Sequence, residues 1–281
     1  GLDPGCELFA LIQPGVSTIS GSFISKIDEK QKNELSEVTI NTTVTLIFGY
    51  PSILQRRDIM RFSEIHERAI ARKGGIEELN ALLPKLPPAT ALEARSDDRY
   101  LSEITRCVFK AGFVWRVIDN KWPGFEAAFH GFVPAYWQQV PPDVLEELAQ
   151  DERIVRNMQK IRTVPENARM IVDAAREYGS FGAFLQQWSS EDQVGLLLWL
   201  KRNGSRLGGN SAQYFLRIVG WDGFILSHDV VAGLRNANLL DASPTSKKGL
   251  QQAQAAFTGW HQETELPYSQ LSRILSYSVE S

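Results

Sequence analysis

The chain has 281 residues, of which 43% are hydrophobic, 22% charged and 10% aromatic, a mix that excludes a mainly disordered chain and allows one large domain or two small ones. A formal charge of −3 excludes a protein that grips nucleic acid through bulk positive charge, though not one with a local basic face. No uninterrupted apolar run reaches the ~18 residues that a membrane helix needs.

Residues 1–60 and 61–281 differ in texture. The first part is rich in Ser, Thr and Gly, and Glu37 to Phe48 alternates polar and apolar positions with β-branched residues. That alternation predicts a strand or a hairpin piece. Charge does not separate the parts: five Lys and Arg stand against seven Asp and Glu in residues 1–60, and 25 against 26 in the rest. Met60 sits at the seam. Residues 1–59 are therefore expected to be a leader or an added extension of β or irregular structure, ahead of a domain over 60–281. The alternative is a small native extension packed on that domain.

From residue 61 onward the periodicity is helical. Phe62, Ile65, Ala69 and Ile70 open the first helix, and Leu101, Ile104, Val108 and Phe109 share one face of another. Pro141 and Pro142 precede Asp143, an expected cap to which Glu146 reaches back as in a capping box. A segment opened by Pro165 carries Ala168, Ile171, Val172, Ala175 and Tyr178 and stops at Gly179. Phe181, Phe184, Leu185 and Trp188 mark the next helix, and Val194, Leu197 and Leu198 the one after. Ala212, Phe215, Leu216 and Val219 follow, then Val230, Val231 and Leu234. The last two helices are expected over 249–260 and 267–278. Short Gly- or Pro-marked connections predict a compact all-α domain without an internal repeat.

The most informative segment runs from Leu196 to Leu216. An apolar helix ends in a basic turn with Lys201, Arg202 and Arg206. Leu207-Gly208-Gly209 then forms a tight hairpin, and a second amphipathic helix starts near Asn210 or Ser211. Glycine allows the positive φ such a hairpin needs. The open N–H groups of the second helix's first turn make an anion site, suited to a DNA phosphate held without base readout. The plain alternative is an αα-hairpin whose glycines serve packing.

With these residues the chain resembles the helix–hairpin–helix DNA glycosylase superfamily, and within it the bacterial 3-methyladenine DNA glycosylase family. The resemblance covers about residues 61–281. Leu101 to Trp115, ending Ala111-Gly112-Phe113-Val114-Trp115, looks like the family's helix and turn. Lys121 to Phe129, Asp151 to Ile161 and Asn167-Ala168-Arg169 continue it, and the hairpin and Phe224 to Val231 follow in the family's order. The resemblance implies an enzyme that flips an alkylated base out of duplex DNA and hydrolyses its N-glycosidic bond. A cationic N3-alkylated adenine is already weakly bonded to its sugar. The enzyme mainly needs to extrude the base, stack on it and stabilise positive charge on the sugar.

By this resemblance Trp115 is the pocket tryptophan, with a core tryptophan as the alternative. Gly112 and Phe113 form the turn that wedges into the DNA, with a buried Phe113 as the alternative. Lys201, Arg202 and Arg206 with Leu207, Gly208, Gly209, Asn210 and Ser211 bind the backbone. The sequence departs from the family at three places. The family's pocket glutamate falls on Cys107, read here as a small apolar filler. The superfamily's catalytic aspartate falls on Ser227, leaving Asp229 as a nearby carboxylate whose simpler role is to cap a helix. The family's zinc ligands are unmatched, because Cys6 and Cys107 are the only cysteines and His261 lacks partners at ligand spacing. No zinc is expected, and apolar packing of Trp260, Tyr268, Leu271, Ile274 and Leu275 is expected to hold the ends instead. A monovalent cation at the hairpin remains compatible.

Tyr100 or Asp98 is a further candidate to face the pocket, and Glu103, one turn before Cys107, is a candidate substitute carboxylate. Arg153, Arg156, Lys160 and Arg162 form either a phosphate-tracking stripe or a solvated face. His66 and His130 are expected at the surface. The leading expectation is a monomeric, cytoplasmic, bacterial DNA repair glycosylase, partnered by duplex DNA carrying an alkylated base and not by a membrane. The alternatives are a non-catalytic damage-binding protein on the same scaffold, or a protein-interaction module that has left DNA.

Overall fold

The computed structural model describes residues 61–88 and 90–280. The strand expected within 37–48, the leader over 1–59 and Met60 lie outside the described residues. Among the described residues every regular element is a helix. Helix α1 (Phe62–Lys73) buries Phe62, Ile65 and Ala69 at spacings of three and four. It stops at Gly74, whose φ of 92° lets its N–H reach the Ile70 carbonyl. Short helices α2 (Ile76–Ala81) and α3 (Thr90–Ala94) lead to the central helix α4 (Asp97–Lys110). Leu101, Ile104 and Phe109 of α4 are fully buried, as its periodicity predicts.

Helix α5 (Trp115–Ala128) follows after a four-residue turn. Its periodicity is broken by Pro123, which sits inside the helix and removes one backbone donor. Tertiary contacts override that cost. Trp122 stacks on Phe125 at 4.9 Å, and Phe129 on Phe132 at 5.0 Å, in a buried aromatic file. Glu126 ties α5 to α4, accepting from Ser102 Oγ at 2.6 Å, Trp122 Nε1 at 3.0 Å and Arg99 at 3.0 Å. Burial raises this carboxyl's pKa, but the hydrogen bonds from Arg99, Ser102 and Trp122 outweigh it and hold the group below its ordinary value.

Helices α6 (Pro134–Trp137), α7 (Pro142–Leu148) and α8 (Met158–Ile161) are short. The capping box expected at Asp143 and Glu146 does not form. Helix α7 already begins at Pro142, and its cap Pro141 has no side-chain hydrogen bond. A proline in the first turn lacks the N–H that a cap would satisfy. Helix α9 (Thr163–Tyr178) packs on α4 and α6 and ends at Gly179, as expected. Then come α10 (Phe181–Gln186), α11 (Gln193–Asn203), α12 (Asn210–Val219) and α13 (His228–Asn236). The last two are α14 (Lys247–Thr264) and α15 (Tyr268–Tyr277). Helix α12 lies against α4, and α15 lies against α1, α13 and α14.

The packing of α15 on α1 joins the two ends of the described chain. Trp260, Tyr268, Leu271, Ile274 and Leu275 are all buried, and Phe62 meets Trp260 at 5.4 Å between ring centres. His261 Nδ1 pairs with the Leu266 carbonyl oxygen at 2.9 Å. Among the described residues no three His, Cys, Asp or Glu side chains gather as metal ligands. Hydrocarbon fills the junction, so the described residues there do not fit a zinc ion. No described helix is long and apolar enough to cross a membrane.

Candidate functional site

The site starts at the C-terminus of α4. A helix end leaves carbonyls without intrahelical partners. Lys160 takes two in this region, its ammonium donating to Phe109 O at 3.0 Å and Ala111 O at 2.7 Å. Burial, with Arg206 nearby, lowers the Lys160 pKa. Gly112 adopts φ 67°, in the left-handed region, and Phe113 N–H closes the turn on Lys110 O at 3.0 Å. The turn delivers Trp115 to the first position of α5, with its ring 46% exposed. Phe113 is 43% exposed and Val114 65%, so neither Phe113 nor Trp115 is the core residue that the plainer alternatives required. Consecutive exposed apolar side chains on a fixed turn form a surface suited to another molecule.

The hairpin between α11 and α12 faces this turn. Asn167 of α9 is fully buried and clasps it, with Oδ1 accepting from Ser205 N at 2.7 Å and Nδ2 donating to Ser205 O at 3.2 Å. Leu207 is buried as the hairpin's anchor, and Gly209 takes φ 56° at the α12 cap. A cavity of 140 Å³ opens beside Gly208 and Gly209, lined also by Lys201, Thr245 and Lys247. Arg202 is exposed, and Arg206 bonds Gln159 Oε1 at 2.8 Å.

Turn and hairpin together enclose a half-open cleft of 470 Å³. Cys107, Trp115, Tyr214, Ile218 and Leu226 make it mainly apolar, and Lys110, Asn210 and Ser211 contribute polar groups. Asn210 and Ser211, expected on the DNA backbone, thus line the cleft, and the Asn210 amide is spent on Leu226 O at 3.1 Å. Trp115 meets Tyr214 in a T-shaped contact, 5.1 Å between ring centres. The Lys110 ammonium lies over one face of the Trp115 ring, 5.2 Å from its centre, and 2.8 Å from Asp119.

Cys107 is 5% exposed, and burial, with the Glu103 charge adding to it, pushes its thiol up to about 12. It is buried and lines the cleft, at the position where a small apolar filler was expected. Its thiolate fraction at pH 8 is then roughly one in ten thousand. Folded protein treated with iodoacetamide at pH 8 is expected to stay unlabelled at Cys107, and urea-unfolded protein to be labelled there. Peptide mapping by mass spectrometry reads the difference, and prompt labelling in the folded state would contradict this burial.

Three sequence candidates fall outside the cleft. Tyr100 is fully buried in the core, donating to Leu92 O at 2.6 Å and packing edge-on against Phe181. It sits two turns before Cys107 on α4 and faces α10 instead. Glu103 pairs with Arg106 at 3.3 Å, and its Oε2 is buried without a partner. It does not line the cleft. Asp229 occupies the first turn of α13, near His228 at 3.4 Å, and does not line it either. Nor does Asp229 cap the helix. That role belongs to Ser227, whose Oγ accepts from Val230 N at 3.4 Å. No carboxylate lines the cleft among the described residues.

The basic stripe over 153–162 also divides. Arg153 pairs with Asp151 at 2.6 Å and Arg156 with Glu152 at 3.7 Å, while Lys160 turns inward to the α4 end. Arg162 is exposed. His130 is exposed, and His66 is partly buried, stacked on Phe62. Tyr214, Lys110, Thr245 and Lys247 were not singled out from sequence. Tyr214 alone carried a usable signal, an aromatic on the flank of an amphipathic helix directly after the hairpin.

Among solved structures, the chain is similar to 3-methyladenine DNA glycosylase I from Staphylococcus aureus, at 21% identity over 45% of this chain and 77% of that one, with a TM-score of 0.40. It is also similar to an 8-oxoguanine glycosylase/lyase from Methanocaldococcus jannaschii, solved with DNA, at 18% identity over 76% of this chain and 95% of that one, with a TM-score of 0.46. Residues 92–196 match a family model described as methyladenine glycosylase. The chain resembles the methyladenine glycosylases. The matched segment holds Cys107, Gly112, Phe113 and Trp115, the residues on which the sequence resemblance to methyladenine glycosylases began. It ends before the hairpin, so the place of Leu207 to Ser211 and Tyr214 beside the cleft comes from the structure.

Proposed function

We propose that this protein is a DNA repair glycosylase that takes a flipped, alkylated purine from duplex DNA into the cleft beside Trp115 and hydrolyses its N-glycosidic bond. The observation that supports it most is the joining of three parts in one place. A half-open apolar cleft with an accessible indole lies between an exposed apolar turn and a glycine hairpin flanked by Lys201 and Lys247. Its volume falls in the range of small-ligand sites, about 300–1,000 Å³.

The chemistry is compatible with a cleft that lacks carboxylates. A cationic N3-alkylated purine leaves as a neutral base, so no acid has to protonate it. Water adds to the sugar's C1′ as the C1′–N bond breaks, and its proton passes to solvent. What remains for the protein is extrusion, stacking and alignment. Phe113 offsets lost base stacking in the duplex, Trp115 offers a ring face to the extruded base, and the hairpin holds the backbone. No zinc or cofactor enters this scheme, and one copy of the chain carries every group in it.

Duplex DNA containing 3-methyladenine is the test. Base release, read as abasic sites cleaved by alkali, is the expected result. Binding of alkylated duplexes with no release from any of them would remove the catalytic reading. The absence of a cleft carboxylate among the described residues favours a second reading in that event, a damage-binding protein that holds abasic or alkylated DNA without turnover.

A further inference from the structure

On the other side of Tyr214 from the cleft lies a smaller cavity of 60 Å³, lined by Arg217 of α12, Arg273 of α15 and Ser227 at the cap of α13. Tyr214 lines both spaces, and the adjacent residues Leu226 and Ser227 divide between them. Neither arginine stands out in the sequence.

Two guanidinium groups share this small space without a bonded carboxylate among the described residues. Arg217 makes one hydrogen bond, from Nη2 to Gly223 O at 2.6 Å, and its Nε is buried with no partner. The acid that faces it, Asp222, is already engaged. Its two oxygens accept from Tyr268 N at 3.0 Å and Ser269 N at 2.8 Å. Burial, with Arg273 adding to it, brings the Arg217 pKa down to about 10, so the charge is held where it is poorly solvated. The Ser272 and Ser276 hydroxyls donate to Ile225 O and Arg273 O. The Ser227 hydroxyl accepts from Val230 N and keeps its own proton free for an acceptor. The two guanidinium groups and the Ser227 hydroxyl are the uncommitted donors facing this space, while Ser272 and Ser276 present acceptor oxygens to it. At about 10–15 Å³ of such volume per water, the space holds roughly four waters, enough for the exposed oxygens of one phosphate.

We infer that Arg217, Arg273 and Ser227 form an oxyanion site that takes the DNA phosphodiester adjoining the flipped nucleotide. Tyr214 then separates base from phosphate, so one strand fills both spaces at once. The hairpin cavity shares no lining residue with the arginine-lined one. The source of the phosphate rests on the proposed function, whereas the oxyanion chemistry rests on the arginine pair.

The test uses the full chain with Arg273→Gln and Arg273→Lys. Arg273 is exposed, makes no side-chain hydrogen bond to the described residues and has a ring contact with Tyr277 at 5.6 Å, so a small stability change is expected. Binding is measured on a duplex with a tetrahydrofuran abasic analogue across a salt series. Arg273→Gln is expected to weaken binding about tenfold at low salt and to flatten the slope of log K against log salt by about 0.9, one phosphate contact. Arg273→Lys is expected to keep the slope. An unchanged slope and affinity for Arg273→Gln would overturn the inference. If the wild type binds no duplex at any salt, the proposed function fails, and inorganic phosphate then decides the cavity separately. Thermal stabilisation by phosphate over chloride at equal ionic strength, lost in Arg273→Gln, supports a site for free oxyanions. No stabilisation of the wild type overturns it.

Discussion

Trp115→Ala is expected to lower single-turnover base release, and binding to a flipped-base duplex, by about five- to 150-fold. Stacking of one base on an aromatic ring contributes about 1–3 kcal/mol, and each 1.4 kcal/mol is tenfold. Trp115 is 46% exposed, at the first position of α5, so its ring is accessible from solvent rather than committed to the core. Stability should therefore change little. The contacts that are lost are the T-shaped one with Tyr214, worth about 0.5–1.5 kcal/mol beyond area, and the Lys110 ammonium over the ring. Trp115→Phe retains a π-face and should recover most of the activity. Release measured on 3-methyladenine duplex, with melting temperature as the control, separates these terms. Normal release from Trp115→Ala would show that the base does not stack there.

Asn167→Ala is expected to cost about 2–4 kcal/mol of stability, among the largest effects of any single polar substitution in the protein. The side chain is fully buried, and removing it strands both the N–H and the carbonyl of Ser205. Each orphaned buried group costs about 1–3 kcal/mol. The chain also approaches closely here. A Cβ on Gly204 would stand 2.9 Å from Met170 Sδ and 3.0 Å from Asn167 Oδ1. The melting temperature should fall by roughly 4–16 °C, at about 2–4 °C per kcal/mol for a domain of this size. Below that transition duplex binding should also weaken, because the hairpin loses the clasp that fixes it to α9. A urea midpoint equal to wild type would show that the clasp contributes nothing. Loss of stability with unchanged duplex binding would show that the hairpin keeps its shape unaided.

Asn167 also shows how far the sequence could be read. It was noticed only as part of a resemblance, next to Ala168 and Arg169. Nothing local marks an asparagine as the clasp of a hairpin 38 residues away. The helices were legible for the opposite reason. Phe62, Ile65 and Ala69 repeat at the period of a single helix, and Gly74 and Gly179 end their helices through their own φ. Helix α5 escaped because Pro123 breaks the local rule, while the aromatic file that sustains it extends past the helix to Phe132.

The same division runs through the site. The Ala111-Gly112-Phe113 turn and the Leu207-Gly208-Gly209 hairpin are local motifs, written in steric terms within a few residues. The roles of the ionisable residues are not. Glu103, Asp229 and Tyr100 were candidates by spacing, yet each faces away from the cleft, since a helix's rotation on its neighbours decides which side chain points inward. Lys160 looked like part of a surface stripe and instead binds the end of α4.

The sequence by itself determined the helical build of the described residues, most helix limits, the two glycine turns and the resemblance that names a class of chemistry. Periodicity, caps and positive φ are properties of short segments. Only the tertiary structure decided that Trp115 and Tyr214 share a cleft, that no carboxylate joins them among the described residues, and that Arg217 and Arg273 meet beyond it. Those facts depend on packing between residues far apart in the chain, where shape complementarity and burial govern the outcome and local pattern carries no record of either.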